Sequence, residues 1–307
     1  MIPGQVRALS YWSGFVDDPS TYFEVLDPPE RNTEPAVLMV PGGLHSAACY
    51  LTTPDFRAGW AHDFLAAGYR VILVDWPGVG RSGRMAPEAV GGKVVAEGIG
   101  RVIAELGEPV VLLTHSMSGA IGWKLIENHP HQITKVVAVA PAEPGNLGAE
   151  LGVLIQEDDQ RKVVSMPSGE IVVDLQSQVT VGKAFAHAKF IGSGTRFPMH
   201  AFDAYYASLL GVSGRMVFER TNIGGAQLRV DDLSSFAGKP ILVVSGTDDA
   251  DHPKAASLEL IGWLNSVGAG AELLYLGDAG VQGNGHMLML EDNSSDIASR
   301  IIDWLQR

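Results

Sequence analysis

The sequence predicts an α/β protein in which a mostly parallel sheet is covered by helices. Apolar segments of strand length alternate with helix-length segments along most of the chain, which is typical of parallel sheets with helical crossovers. The chain has 307 residues, enough for one large domain with an insertion. One long stretch, between residues 140 and 240, interrupts the alternation and indicates where an insertion would lie.

The individual elements follow from apolar periodicity and from glycine and proline turns. We predict strands at residues 6–12, 21–26, 36–40, 70–75, 110–114, 135–140, 240–245 and 272–276. We predict helices at residues 55–67, 88–106, 116–128, 254–267 and 295–306. A further helix is predicted inside the long stretch, at residues 199–210, where large apolar side chains recur at helical spacing.

Composition argues against two classes of partner. The formal net charge of −13 opposes binding to nucleic acid or to an anionic membrane surface. The single cysteine, Cys49, cannot form an intrachain disulfide, which fits a reducing compartment. Residues 1–30 contain no basic segment followed by an apolar one, so we expect a cytoplasmic protein. The oligomeric state stays open, and a homodimer is compatible with the sequence.

Ser116 is the strongest candidate for a catalytic residue. A strand of buried type runs directly into a helix through a turn with Ser116 at its apex. The residues two before and two after it are small, Thr114 and Ser118. A sharp strand-to-helix turn has no room for large side chains there, and it lifts the serine hydroxyl clear of the sheet. The helix N-terminus also favours developing negative charge. The alternative is a serine that only caps the helix.

This turn resembles the nucleophile elbow of α/β-hydrolases, in which the chain order is nucleophile, acid, histidine. The resemblance implies that His286, the last of nine histidines, is the general base. It follows the final predicted strand in a glycine-flanked loop, where an imidazole can accept and return a proton near neutral pH. An ordinary histidine predicts an apparent pKa of about 6 to 7.5 for kcat/KM. The histidines show no metal-ligand spacing, so we expect no metal.

The acid of the triad is less well determined by the sequence. The strand at residues 240–245 leads into a loop that contains Asp248, Asp249 and Asp251. A carboxylate on this loop can reach the far ring nitrogen of the histidine and fix its tautomer. Asp249 is the first choice, because it stands three residues after the glycine that follows the strand. Glu143, shortly after the preceding strand, is the main alternative.

The loop after residues 36–40 is the candidate oxyanion hole. It begins with Pro41, Gly42, Gly43 and Leu44. Glycines allow a backbone to approach a substrate closely. In α/β-hydrolases this loop donates one backbone N–H, and the residue after the nucleophile donates the other. The candidates here are the N–H groups of Gly43 or Leu44 and of Met117.

Three stretches resemble a small bacterial esterase family within the α/β-hydrolases. They are T-T-P-D-F-R-A-G-W at residues 52–60, H-S-M-S-G at 115–119 and G-N-G-H-M at 283–287. The run D-W-P-G-V-G-R-S at residues 75–82 also matches a structural signature of these folds. The likeness covers residues 36–142 and residues 240 onward.

Two departures from that family bear on the site. The family has adjacent cysteines in the oxyanion loop, where this chain has Gly43 and Leu44. The resemblance implies a glutamate as the acid of that family, and the matching position in this chain is Ala140. The resemblance therefore implies another acid here, which favours Asp249, with Glu143 as a displaced substitute.

We expect a catalytic domain formed by residues 1–142 and 237–307, and an inserted cap at residues 143–236. The aromatic stripe of the cap helix consists of Phe202, Tyr205 and Tyr206, with Leu209 beside them. Packing within the cap explains this stripe better than substrate contact at any one position, although a cap usually supplies some pocket wall.

These features predict a serine hydrolase that cleaves a carboxylic ester or lactone of a small, partly apolar substrate through an acyl-enzyme. No cofactor is expected. Two alternatives remain: a carbon–carbon bond hydrolase with the same triad, and a ligand-binding protein that keeps the fold with little or no turnover.

Overall fold

A computed structural model describes residues 10–158, 160–166 and 169–307. The strands of this part are β1 (Ser10–Val16), β2 (Thr21–Asp27), β3 (Ala36–Val40), β4 (Val71–Val74), β5 (Val110–His115), β6 (Ile133–Val139), β7 (Val153–Glu157), β8 (Arg161–Met166), β9 (Gly169–Asp174), β10 (Gln178–Val179), β11 (Val212–Ser213), β12 (Pro240–Ser245) and β13 (Gly270–Tyr275). The α-helices are α1 (Trp60–Ala66), α2 (Gly92–Leu106), α3 (Ser118–Asn128), α4 (Lys183–Phe190), α5 (Phe202–Ala207), α6 (Gly214–Glu219), α7 (Lys254–Ser266) and α8 (Ser294–Leu305).

Eight strands form one central sheet in the order β1-β2-β4-β3-β5-β6-β12-β13. The pairs from β4 to β13 are parallel, and β1 and β2 form an antiparallel edge. Every residue of β3, β4 and β5 is buried, because helices cover both faces of a parallel sheet. The predicted α/β class with a mostly parallel sheet is confirmed.

Two layers of apolar side chains pack against the two faces of this sheet. Since neighbouring side chains of a strand point to opposite faces, Val37 of β3 joins one layer and Leu38 joins the other. The first layer includes Trp60 of α1 and Ile301 of α8. The second includes Ile99 of α2 together with side chains of α3. The sheet is thereby held rigid, and the loops at the carboxyl ends of its strands start from fixed positions.

The helix predicted at residues 55–67 begins only at Trp60, so this boundary was wrong. Thr52 and Ala58 pair as an antiparallel bridge, which keeps the intervening residues out of a helix. Phe56 has φ 67° and its side chain is 73% exposed, so it does not join the buried apolar side chains of α1.

Other boundaries also differ from the predictions. The first strand, Ser10–Val16, extends beyond the predicted end at residue 12, and residues 6–9 of that prediction lie outside the described residues. The helices predicted from 88 and 116 begin at Gly92 and Ser118. The segment predicted at 199–210 divides into a 3₁₀ turn, Met199–Ala201, and helix α5.

Residues between β6 and β12 form elements of their own. Strands β7, β8 and β9 make a three-stranded antiparallel sheet that the sequence analysis did not predict. The remaining part carries α4, α5 and α6, and the short pair of β10 with β11. Among the described residues, no helix combines the length and the apolar character that a membrane span requires.

Candidate active site

Ser116 occupies a strained turn between β5 and α3. Its φ of 53° lies in the left-handed region, which is unfavourable for a residue with a side chain. Hydrogen bonds hold it there, because its N–H donates to the Val139 carbonyl at 3.0 Å and its carbonyl accepts from Gly119 and Ala142. A Cβ on Gly119 would lie 2.6 Å from the Ala142 oxygen, so the turn requires a glycine at that position. This is the geometry expected of a nucleophile elbow.

A continuous line of hydrogen bonds joins the three predicted triad residues. The Nε2 atom of His286 lies 2.9 Å from Ser116 Oγ, and its Nδ1 atom lies 2.7 Å from Asp249 Oδ2. Nδ1–H therefore donates to the carboxylate and Nε2 can accept the serine proton. Both ring nitrogens of His286 are occupied in this way, so Glu143 does not hold the position that the alternative required.

The carboxylate of Asp249 is held ionised although it is buried. Its Oδ1 accepts from the N–H groups of Asp251 at 3.0 Å and His252 at 3.3 Å. Burial alone would raise the pKa of Asp249, but the charge of His286 and hydrogen bonds from His252 and His286 hold it well below its usual range. A permanently charged carboxylate is what orients the histidine and stabilises its protonated form.

The stretch at residues 52–60 fixes the loop that carries the histidine. The guanidinium of Arg57 donates to the carbonyls of Leu290 and Glu291, each at 3.0 Å. The buried Glu291 carboxylate in turn accepts from the Gly285 N–H and the Asn284 side chain. Burial raises the pKa of Glu291 to about 7. Two of the stretches that resemble the esterase family are thus linked through Glu291, and these contacts hold the loop that carries His286.

The candidate oxyanion loop packs directly against the elbow. Ser118 Oγ donates to the Pro41 carbonyl, and a Cβ on Gly42 would lie 2.7 Å from the His115 ring. In the described part of the chain, the N–H groups of Gly43, Leu44 and Met117 donate to no protein acceptor. Leu44 has φ 69°, a second strained residue beside the nucleophile.

A cavity of about 150 Å³ opens beside Ser116 and is bordered by Gly43, Leu44 and Met117. Its apolar wall comes from the segment between β6 and β12 and consists of Val179, Val181, Phe185, Phe190, Val212 and Val217. Lys189 and Arg220 line it as well. The cavity therefore brings apolar side chains, two cations, the serine and the unpaired N–H groups to one place.

The predicted aromatic stripe of the long stretch packs internally. Phe202 and Tyr205 are buried, and their rings contact Phe197 and each other. Tyr206 donates to the Val181 carbonyl at 3.2 Å. These three residues are not among those that line the cavity at Ser116. Packing, which the sequence analysis favoured, explains them.

Two histidines at the site were not singled out from the sequence. The ring of His252 stacks on His286 with centroids 5.1 Å apart, and its Nδ1 lies 3.2 Å from Asp249 Oδ2. His45 bridges the oxyanion loop and α5, with Nδ1 2.8 Å from the Gly43 carbonyl and Nε2 3.0 Å from the Tyr205 hydroxyl. Burial lowers the pKa of His45 to about 4. In the sequence, His252 closely follows Asp249 and His45 closely follows Gly43, and this closeness to predicted site residues could have identified both histidines.

Asp249, His252 and His286 together form a group of potential metal ligands, with ligand atoms within 4.8 Å of one another. Sequence spacing did not reveal this group, because His286 is distant from the other two along the chain. A metal ion bound there through Nδ1 of His286 would have to displace the hydrogen bond of this nitrogen to Asp249.

Comparisons with known proteins agree with this architecture. The Probable secreted lipase phiG of Fungal sp. (strain ATCC 74256) is 22% identical over 368 aligned positions, covering 99% of this chain and 90% of that protein. A 2-hydroxy-6-oxo-6-phenylhexa-2,4-dienoate hydrolase of Burkholderia cepacia is 32% identical over 123 residues, 38% of each chain. The structure of a novel bacterial esterase superposes with a TM-score of 0.62 at 17% identity, covering 100% of this chain and 98% of that one. The model of the alpha/beta hydrolase family matches residues 37–300. The chain belongs to the alpha/beta hydrolase family.

Proposed function

We propose that this chain is a serine esterase or lactonase that acts through an acyl-enzyme. The observation that carries the proposal is the unbroken line from Ser116 Oγ through the imidazole of His286 to the Asp249 carboxylate, with spacings of 2.9 and 2.7 Å. Such a line lets a buried histidine accept the hydroxyl proton of the serine, which turns a weak hydroxyl into a nucleophile. The lipase and esterase among the similar proteins support an ester as the substrate.

The reaction follows from the roles of these groups. Ser116 Oγ attacks the carbonyl carbon of the ester while His286 Nε2 takes the hydroxyl proton. The oxygen of the tetrahedral intermediate receives hydrogen bonds from the Met117 N–H and from Gly43 or Leu44. His286 then gives its proton to the departing alcohol, which leaves an acyl-serine. Water, deprotonated by the same histidine, attacks the acyl carbon and releases the acid and free Ser116.

We propose that residues 143–236 act as a cap over a catalytic domain formed by residues 1–142 and 237–307. The support is that six apolar residues of this segment form the wall of the cavity at Ser116. A wall of this kind suits a small, partly apolar acyl or alcohol group. Carbon–carbon bond hydrolysis with the same triad is a second candidate, supported by the local similarity to the dienoate hydrolase.

Covalent labelling followed by turnover tests the proposal. A fluorophosphonate should label the wild type at Ser116, as located by mass spectrometry of the digested protein, and a p-nitrophenyl butyrate assay should then give multiple turnovers. Labelling without turnover of esters would favour the carbon–carbon bond hydrolase, to be assayed with a vinylogous diketo acid. Absence of both labelling and turnover would contradict a hydrolase and favour a ligand-binding protein.

The pH profile should reflect the burial of the base. Burial lowers the pKa of His286 to about 4, although the charge and the hydrogen bond of Asp249 oppose the shift. Since the base must be neutral, a lower pKa extends activity to more acid pH. We expect the acid limb of kcat/KM below about pH 6, lower than for an ordinary histidine. Thermal unfolding at each pH separates titration from acid unfolding. A midpoint of 6 to 7.5 would contradict this effect of burial.

Two phenylalanines should separate selectivity from stability. Phe185 lines the cavity and its side chain is 54% exposed, so Phe185→Ala should change the preference among p-nitrophenyl esters of different acyl length at little cost in folding. Phe202 is buried outside the cavity, and Phe202→Ala should lower the free energy of unfolding by about 3 to 5 kcal/mol. Denaturant titration and an acyl-length series measure the two effects. A changed acyl-length preference in Phe202→Ala, together with a loss of stability and an unchanged preference in Phe185→Ala, would show that the cavity wall is assigned incorrectly.

A further inference from the structure

We propose that the cavity beside Ser116 binds a substrate chain that ends in a carboxylate, and that Lys189 and Arg220 bind this carboxylate. The inference rests on the proposed ester hydrolysis and specifies its substrate class as an ester of a chain with one free acid group. Lys189 and Arg220 are the charged residues among those that line the cavity in the described part of the chain. The remaining wall is almost entirely apolar, so a wholly apolar substrate would cover two cations without adding a negative charge beside them.

The two cations are already held side by side. Nζ of Lys189 contacts the carboxylate of Asp251, and Nη2 of Arg220 lies 3.3 Å from the same oxygen, Oδ2. Asp251 does not line the cavity, so its carboxylate holds both cations from outside the cavity. A single carboxylate is thus shared by two cations, which leaves donor groups of both available to another acid.

The two cations share one contacting carboxylate, that of Asp251. The side chain of Lys189 is only 11% exposed, so water shields its charge little. Burial lowers the pKa of Lys189, and the charge of Arg220 adds to this shift while Asp249 opposes it. Burial also lowers the pKa of Arg220, although the charges of Glu143 and Asp249 oppose this shift. An arriving anion would stabilise both charged forms.

A carboxylate fits this position better than a doubly charged phosphate. Arg220 offers a planar fork and Lys189 a point charge, and this pair can bind both oxygens of a carboxylate. The apolar wall makes removal of a dianion from water far more costly than removal of a monoanion. The charge of Lys189 also reaches the triad, because it contributes to lowering the pKa of His286. The anion would therefore bind close to the reacting ester.

Matched ester pairs test the proposal without knowledge of the natural substrate. One pair is mono-p-nitrophenyl adipate and its terminal carboxamide, which places the charge in the acyl chain. The other is 6-acetoxyhexanoate and 6-acetoxyhexanamide, which places it in the alcohol. We expect the wild type to prefer the carboxylate in at least one pair by about 10- to 100-fold in kcat/KM, the range of a hydrogen bond to a charged group. Uncatalysed hydrolysis is subtracted for each ester.

Variants that remove one cation at a time test whether Lys189 and Arg220 cause the preference for the carboxylate. Lys189→Met keeps the chain length without the charge and should bring the carboxylate-to-carboxamide ratio close to 1, as should Arg220→Met. The ratio compares two substrates on one protein, so a general loss of activity cancels. Lys183→Met is the matched control, because Lys183 lies on the same helix, is 53% exposed, pairs with Asp203 and does not line the cavity. It should keep the wild-type ratio.

A binding experiment keeps this proposal separate from the proposed function. The N-phenyl amides corresponding to the adipate pair lack the labile ester, and calorimetry measures their affinity for the wild type and Lys189→Met. Tighter binding of the carboxylate by the wild type alone supports the subsite even if no ester is turned over. Turnover of esters with no carboxylate preference in either pair, and equal affinity for the two amides, would overturn the subsite and leave the serine hydrolase standing.

Discussion

Replacing Ser116 by alanine should reduce kcat by about 10⁴ to 10⁶ while the protein stays folded. The change removes the oxygen that forms the acyl-enzyme, so the histidine has no nucleophile to activate. The backbone of the elbow is held by the hydrogen bond from the Ser116 N–H to Val139 and by those from Gly119 and Ala142 to the Ser116 carbonyl, none of which involves the serine side chain. Stopped assays with p-nitrophenyl butyrate measure the loss, and thermal unfolding and circular dichroism verify the fold.

Ser118→Ala is the matched control for this experiment. Ser118 stands two residues further on, but its hydroxyl donates to the Pro41 carbonyl and accepts from the Trp76 indole at 3.1 Å. It therefore has no base to activate it, and its loss removes both hydrogen bonds, which should lower the free energy of unfolding by roughly 1 to 3 kcal/mol. Turnover by Ser116→Ala at the wild-type rate, or a larger loss in Ser118→Ala, would rule out Ser116 as the nucleophile.

The central sheet and the elbow were predictable because local sequence determines them. Parallel strands buried on both faces are continuous apolar runs, as in β3 and β5, and such runs are visible without any knowledge of the tertiary structure. The elbow needs small residues at fixed offsets from Ser116, which is also a local pattern. His286 and Asp249 followed from their places after the last strands, since the carboxyl ends of parallel strands meet at one edge.

The cavity was not predictable in the same way. Its wall combines residues of β10 and α4 with residues of β11 and α6, two groups that are separated along the chain and become neighbours only in the folded protein. The antiparallel sheet of β7, β8 and β9 was missed because nearly all of its residues are exposed or half-buried, so their apolar signal is weak. Phe56 misled the helix prediction, since an exposed aromatic residue at helical spacing resembles a buried one in sequence.

The distances that favour Asp249 as the acid are ones that no sequence pattern supplies. Asp248 and Asp249 are adjacent, yet the Asp248 carboxylate accepts from Thr247 Oγ1 at 2.6 Å and Ser193 Oγ at 3.1 Å, away from the histidine. Glu143 lines a separate cavity that also borders His252. The register of the loop after β12 therefore places one aspartate, and not its neighbour, against His286.

Asp249→Asn should reduce kcat by about 10⁴, the effect expected when a triad histidine is left in the wrong tautomer. The amide keeps the shape of the carboxylate but can present an N–H to Nδ1, so that Nε2 carries the proton and no longer accepts from Ser116. Asp248→Asn and Glu143→Gln remove the same charge nearby and should each cost less than about tenfold, since neither side chain contacts the His286 ring. All three variants are compared by kcat at the optimal pH of the wild type and by thermal unfolding. A large loss in Glu143→Gln together with a small one in Asp249→Asn would transfer the acid to Glu143 and leave the serine and the histidine in their roles.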